Sequence, residues 1–334
     1  MGAGAIRPHR PIPSHHPGEA DGHLVAHRRG RPRRRAARGA PARAAQAAGN
    51  GRWAVTPTPP ATPGPTPRQY FFLESPPGQT VIDSVRVANL TDRPMTLRLY
   101  GADAFNTSSD GGFGLRPEKE RQQGIGSWTR LGLADVVVPA KRQADIPFTI
   151  TVPANATPGD HVGGVVAAEA VPSGQLDSGG LTVGVTHAVA ARVYLRVSGP
   201  TVPGLAVTEL TADRTQVGYD LANTGNTHLL PDVAVTASGL FGHRVTAAGP
   251  GSRLDLVPGA RTRLRAALAG VWPVDIVSTT VTVTAEGGVR ATSSTTTLVG
   301  VWPTLAALAL LLAVAAVLLR RRRRARTPRP RGLA

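Results

Sequence analysis

The sequence predicts an all-β protein, built from two immunoglobulin-like antiparallel β-sandwiches followed by a single C-terminal transmembrane helix. Three observations support this prediction. Apolar and polar residues alternate in many short segments between residues 68 and 291, which is the period of half-buried strands. Clusters of Gly, Pro, Asn and Asp separate these segments, and no amphipathic helical pattern occurs before residue 299. A long apolar run then follows.

The chain begins with a basic segment, residues 1–52, that is rich in Arg, Pro and His. A small-residue stretch at 40–45 resembles a signal-peptide cleavage site, but the apolar region that should precede it is missing. We therefore expect residues 1–38 to be a mis-assigned start that replaces a signal peptide; a disordered basic arm is the alternative. The proline-rich residues 53–67 are expected to form an extended linker with no core element.

The first sandwich is predicted over residues 68–200. Met95, Leu97 and Leu99 alternate with polar residues, and the same pattern recurs along the segment. Outward positions of the last stretch include Arg192 and Arg196, opposite a face of valines on which His187 is also expected. The predicted strands are 70–74, 81–90, 95–100, 135–140, 146–152, 163–171 and 183–197.

A second, smaller sandwich is predicted over residues 201–291, after the turn at Gly199 and Pro200. Turn signals at 223–226 and 256–259 divide this region into short apolar runs. Residues 292–298, which are mostly Thr and Ser, are expected to form a polar stalk. The predicted strands are 205–210, 216–223, 232–237, 253–257, 262–268 and 278–286.

Residues 299–319 are expected to cross a membrane, because a helix of about 20 apolar residues spans the roughly 30 Å core of a bilayer. Trp302 lies at the start of this run, where an indole favours the headgroup level. Arg320, Arg321, Arg322, Arg323 and Arg324 open a basic tail, residues 320–334. The positive-inside rule makes this tail cytoplasmic and the preceding domains extracellular, and its arginines can also contact anionic membrane lipid.

Charge and composition exclude several classes of function. The chain has a formal net charge of +17, but the excess lies in residues 1–67 and 320–334, so the body between them is neutral. We therefore expect no nucleic-acid partner, because that class needs a basic folded face. Cysteine is absent, which excludes disulfides and cysteine-based metal or catalytic sites. Recognised catalytic motifs are also absent, so we expect neither enzyme activity nor a cofactor.

Several segments resemble the peptidoglycan-binding domain of WxL-interacting proteins, which are surface proteins of Gram-positive bacteria. In that family, two immunoglobulin-like domains precede a membrane helix and a basic tail. The resemblance implies peptidoglycan contact by the first domain and binding of a partner protein by the second, and the arginine-rich composition suggests an actinobacterial member. The segments are RQYFFLE at 68–74, VRVANLT at 85–91, IGSW at 125–128, VPANATPGDH at 152–161 and GGVVA at 163–167.

The predicted function is that of a non-enzymatic cell-surface protein that binds peptidoglycan, another wall polymer or a surface protein. The long segment 104–133 interrupts the strand rhythm and is the first candidate contact with the wall. Of its two large aromatic residues, Phe113 and Trp128, at least one should anchor the loop and the other is a candidate binding residue. Asp160 and His161 occupy a turn that is a second candidate contact. The alternative is a calcium-dependent carbohydrate-binding module, with the oxygen-rich segment 103–110 as its metal loop.

Overall fold

The structure is a computed structural model, and it describes residues 49–62, 67–171, 174–178, 181–240, 242–247, 249 and 253–325. This part of the chain is predominantly β, with several sheets and one apolar helix at its C-terminal end. The predicted mis-assigned start at 1–38, the rest of the basic segment to residue 48 and the end of the tail beyond residue 325 lie outside it.

Two sheets form the N-terminal sheet pair. One has the order β1-β3-β8-β6; the other has the order β2-β12-β9-β4-β5, with β7 also paired to β4. Strand β2 runs parallel to β12, and the other ladders are antiparallel. A hairpin of β10 and β11 stands apart. The elements are β1 (Trp53–Pro57), β2 (Phe71–Ser75), β3 (Thr80–Asn89), β4 (Met95–Asn106), β5 (Phe113–Leu115), α1 (Ile125–Trp128), β6 (Thr129–Leu131), β7 (Asp135–Val138), β8 (Gln143–Thr151), β9 (Gly159–Glu169), β10 (Gly174–Ser178), β11 (Leu181–Val185) and β12 (Ala188–Val197).

The core of this pair lies between its two sheets. Val85 and Phe148 face it from one sheet, and Leu97 and Leu195 face it from the other, all essentially inaccessible to solvent. Each such side chain contributes about 1.5–3 kcal/mol by leaving water. The alternation along the strands therefore predicted the buried face correctly.

Two further sheets form the C-terminal sheet pair, with the orders β13-β14-β17 and β16-β15-β18-β19. They enclose a second core, which includes Tyr219, Leu221, Val235 and Val281. The strands are β13 (Leu205–Ala212), β14 (Gln216–Asn223), β15 (Asp232–Gly239), β16 (Arg244–Ala247), β17 (Arg261–Ala267), β18 (Asp275–Thr284) and β19 (Arg290–Val299). A 3-10 turn, Glu286–Gly288, joins the last two.

The predicted linker 53–67 is wrong for its first five residues, which form β1 and pair with β3. The Trp53 side chain is fully buried, and its indole N–H donates a hydrogen bond to the carbonyl of Ala167 at 3.2 Å. Proline is tolerated here because Pro57 ends an edge strand. Residues 63–66 of the predicted linker lie outside the described residues.

Two predictions in the second region are also wrong. Residues 292–298 are not a stalk but most of β19, because alternate side chains turn inward and Thr297 donates a hydrogen bond to the carbonyl of Ala212 at 3.1 Å. Residues 253–257 make only one isolated bridge, between Leu256 and Leu229. Leu254 and Leu256 are nevertheless buried, so the apolar pattern reports burial there and not a strand.

The C-terminal helix α2 is Val301–Ala325, shifted from the predicted 299–319. Val299 still belongs to β19, and Gly300 joins the two elements with φ +72, a conformation that favours glycine. The segment Pro303–Arg323 is long and apolar enough to cross a bilayer, and within the described part of the molecule it is exposed. The helix continues through Arg320–Arg323 because arginine has a high helix propensity.

Candidate functional site

The sequence-predicted contact residues lie near the junction, which we define as the region where the two sheet pairs meet. The Asn106 side chain of β4 spans it, donating to the carbonyl of Asp255 at 2.8 Å and accepting from the Val257 N–H at 2.9 Å. A small apolar cluster of Val162, Tyr194 and Val257 fills its centre. The junction therefore has a packed core of its own, with clefts on its surface.

Asp160, on β9, links the two sheet pairs through hydrogen bonds at the junction. Its carboxylate accepts hydrogen bonds from Arg196 Nε at 2.7 Å and from His228, through the backbone N–H and Nδ1, both at 3.0 Å. Burial acts to raise the pKa of Asp160, but the hydrogen bonds from His228 and Arg196 outweigh it and hold that pKa well below its usual range. The carboxylate thus joins β9, β12 and the loop after β14.

The structure brings His161 and Trp128 together. Their ring centroids are 4.6 Å apart, and His161 Nε2 lies 2.9 Å from the carbonyl oxygen of Thr157. Trp128 is half-buried against the N-terminal core, as the prediction of a loop anchor requires. The turn that carries it is fixed by Asp103, whose carboxylate accepts backbone N–H groups that include Gly126 at 2.7 Å.

A cleft of about 360 Å³ opens beside this pair and spans both sheet pairs. Its N-terminal wall includes Asp160, His161 and Gly124, and its C-terminal wall includes Asn226 and Pro258. The Asn226 side chain closes the base by donating to the carbonyl of Pro158 at 2.9 Å. Asp160 and His161, both predicted contact residues, therefore line this cleft. The Asp160 carboxylate, however, already accepts hydrogen bonds from Arg196 and His228.

Phe113 belongs to a different cluster from Trp128. Arg192 covers the Phe113 ring, with its guanidinium carbon 3.9 Å from the ring centroid, and pairs with Asp255 at 2.9 Å. Tyr194 also donates its hydroxyl to Asp255. Burial, and then this hydrogen bond, raise the pKa of Tyr194, so the phenol remains a donor. Phe113 is half-buried under an arginine and is not an open platform.

An exposed aromatic residue next to this cluster was missed by the sequence analysis. Phe72, on the edge strand β2, is 69% exposed and stacks on Tyr194 with ring centroids 5.2 Å apart and planes within 13°. A cleft of about 300 Å³ adjoins it, lined also by Glu74, Arg196 and His228. Arg192, Tyr194 and Arg196 alternate with buried residues along β12, so the outward face of that strand carried the missed signal.

The proposed calcium loop and His187, which the sequence analysis also singled out, have side chains in polar contact with other residues of the chain. Asp103, which opens the proposed calcium loop, accepts three backbone N–H groups, and Asp110 accepts the Gly112 N–H at 3.0 Å. Within the described ranges, no group of three His, Asp or Glu residues is placed to hold a metal ion. His187 lies in the turn before β12, not on its valine face, with Nδ1 3.1 Å from the Glu169 carboxylate.

The predicted membrane-anchor residues all fall on α2. Arg320, Arg321, Arg322 and Arg323 extend from its C-terminal turns and are exposed. The side chains of Trp302 and Arg324 lie outside the part of the molecule that is described.

No family model matches the chain, and no curated protein matches it. Solved structures of similar shape include the CupB2 chaperone of Pseudomonas aeruginosa, with 11% identity over 69% of this chain and 97% of that one and a TM-score of 0.33. The class 5 fimbriae chaperone CfaA shows 12% identity over 69% and 95%, with a TM-score of 0.36. The E. coli chaperone DraB shows 8% identity over 69% and 94%, with a TM-score of 0.34. Similarity this low says nothing about what this chain binds.

Proposed function

We propose that this is a non-enzymatic, single-pass surface protein of a Gram-positive cell. Its two sheet pairs act as immunoglobulin-like domains outside the membrane and contact a cell-wall polymer, with peptidoglycan as the first choice. A wall-associated protein is the other partner class that this arrangement suits. No nucleic acid and no cofactor enter the proposal.

The observation that carries the proposal is the exposed apolar helix α2, which directly follows β19. The apolar helix has none of the described residues packed around it, and it exposes large side chains such as Leu310 and Leu311, at 67% each, which is unfavourable in water. Arg320–Arg323 follow on the same helix. The positive-inside rule then places the arginines in the cytoplasm and the sheets outside the cell.

Phe72 and the adjoining cleft are the surface that best fits a sugar polymer. An exposed ring can stack on the apolar face of a sugar, and stacking on Tyr194 fixes this ring's orientation. The Arg196 side chain is 49% exposed beside it, so the guanidinium can donate to a sugar hydroxyl or to a peptide carboxylate. Peptidoglycan offers both groups.

The test is co-sedimentation of the full-length protein, in detergent micelles, with sacculi stripped of protein. Phe72→Ala should weaken retention by about tenfold, equivalent to about 1.4 kcal/mol of binding free energy. Ile82→Ala is the matched control, because Ile82 is 74% exposed on β3 in the opposite sheet. Equal retention of both variants and the parent would rule out this surface, and no retention of the parent would rule out wall-polymer binding.

A further inference from the structure

Exposed apolar side chains surround the end of the C-terminal sheet pair where β19 passes into α2. Trp272 and Val274 are each 47% exposed, and Leu240 is 66% exposed. Ile276 and Leu298, at 42% and 64%, form a cross-strand pair beside them. We call these five residues the apolar rim.

The structure places the rim at the first turn of α2. Asp275 pairs with Val299, the last residue of β19, and the Asp275 carboxylate accepts the Leu240 N–H at 3.0 Å. Gly300 packs so closely on the loop before β18 that an added Cβ would lie 1.8 Å from the carbonyl oxygen of Pro273. The rim residues from three separate segments therefore lie around one point of the chain.

The Trp272 indole of the rim has a fixed orientation. The Trp272 indole stacks on His243, with ring centroids 4.8 Å apart and planes within 6°. His243 lies in turn 3.2 Å from the fully buried Asp275 side chain. Held in this way, the indole keeps nearly half of its surface open at the end of the sheets.

We propose that the apolar rim lies in the interfacial layer of the bilayer that α2 enters, so that the C-terminal sheet pair rests on the outer leaflet. The inference depends on the proposed membrane anchor and adds a second lipid contact, made by the sheets. A single residue, Gly300, joins β19 to α2, and one residue spans at most about 3.6 Å. Wherever Val301 meets the membrane, the rim must lie at nearly the same depth.

The chemistry of the rim suits that layer. Tryptophan is enriched at membrane–water interfaces, where its apolar ring leaves water while its N–H can still donate a hydrogen bond. Leucine, isoleucine and valine gain by leaving water at the same level. A protein ligand is a poorer match, because it would have to fit between the rim and the surface that the helix enters.

The test uses site-directed spin labels on the full-length protein in lipid nanodiscs, since the absence of cysteine lets single cysteines be introduced at will. Leu240→Cys and Val274→Cys report on the rim. Glu286→Cys is the aqueous control, because the turn that it occupies lies at the opposite end of the β18–β19 hairpin and is exposed. Leu311→Cys, within α2, reports on the anchor.

We expect the labels at 240 and 274 to be accessible to oxygen and shielded from a water-soluble nickel complex, within about 10 Å of the lipid headgroups. The label at 286 should be fully accessible to nickel. Labels at 240 and 274 that behave like 286 while 311 is embedded would overturn the rim contact and leave the anchor standing. A label at 311 that is open to nickel would overturn the anchor, and the rim contact with it.

Discussion

Replacing Trp53 by alanine tests whether β1 is part of the fold. The indole is fully buried between the sheets of the N-terminal pair, and its N–H donates to the carbonyl of Ala167. Truncating a buried Trp costs about 3–5 kcal/mol, and that range also covers the loss of one hydrogen bond of about 1 kcal/mol. We therefore expect Trp53→Ala to lower the free energy of unfolding by about 4 kcal/mol.

For a chain of this size, that loss corresponds to a fall in Tm of about 12 °C, at 2–4 °C per kcal/mol. Urea and thermal unfolding followed by circular dichroism measure both quantities. Ile82→Ala is the control, because this side chain is 74% exposed on β3 and its removal should cost less than about 1 kcal/mol. Equal, small losses for the two variants would show that residues 53–57 do not dock as a strand, and that the linker prediction was right.

Two further predictions concern buried polar groups. Because the pKa of Asp160 is lowered in the folded protein, its carboxylate contributes stability above the unfolded value of about 3.9, and this contribution is lost as pH falls below about 4. Asp160→Asn should therefore flatten the acid limb of the stability–pH profile measured by urea unfolding, and an unchanged limb would contradict the stabilising role of the Asp160 carboxylate. Burial raises the pKa of Tyr219 to about 12, and its buried hydroxyl has no hydrogen-bond partner among the residues that the structure describes. Tyr219→Phe should accordingly stabilise the protein by about 1 kcal/mol in the same assay, and a loss of that size would show that the hydroxyl has a partner.

Strands whose burial depends on side-chain hydrophobicity were predictable from the sequence. β14 (Gln216–Asn223) has the predicted bounds, because apolar and polar residues alternate along it without interruption. β19 was not predicted, since its inward positions are Ala, Ser and Thr and its burial comes from the neighbouring strands. β1 was missed because the surrounding prolines outweighed the alternation of Trp53 and Val55.

The candidate site was only partly predictable. Trp128 and His161 were both named, and they are in contact. The hydrogen bonds from Arg196 and His228 to the Asp160 carboxylate could not be predicted, because these partners lie 36 and 68 residues away in the sequence. Phe72 was overlooked for a local reason. It is adjacent to the buried Phe71, and successive side chains of a strand point to opposite faces. The sequence does not show which of these two faces packs against the core.

In the proposed arrangement, the one-residue link at Gly300 sets the distance between the candidate clefts and the membrane. β18 has ten residues, or about 33 Å at 3.3 Å per residue, and it runs from Asp275 beside the helix to Thr284. Thr284 pairs with Asp232. Asp232 directly follows the loop that contains His228, and residues of this loop line the two candidate clefts. In the proposed arrangement, with β18 along the membrane normal, the candidate clefts stand about 30 Å above the bilayer, and only the layer of the wall at that height lies within their reach.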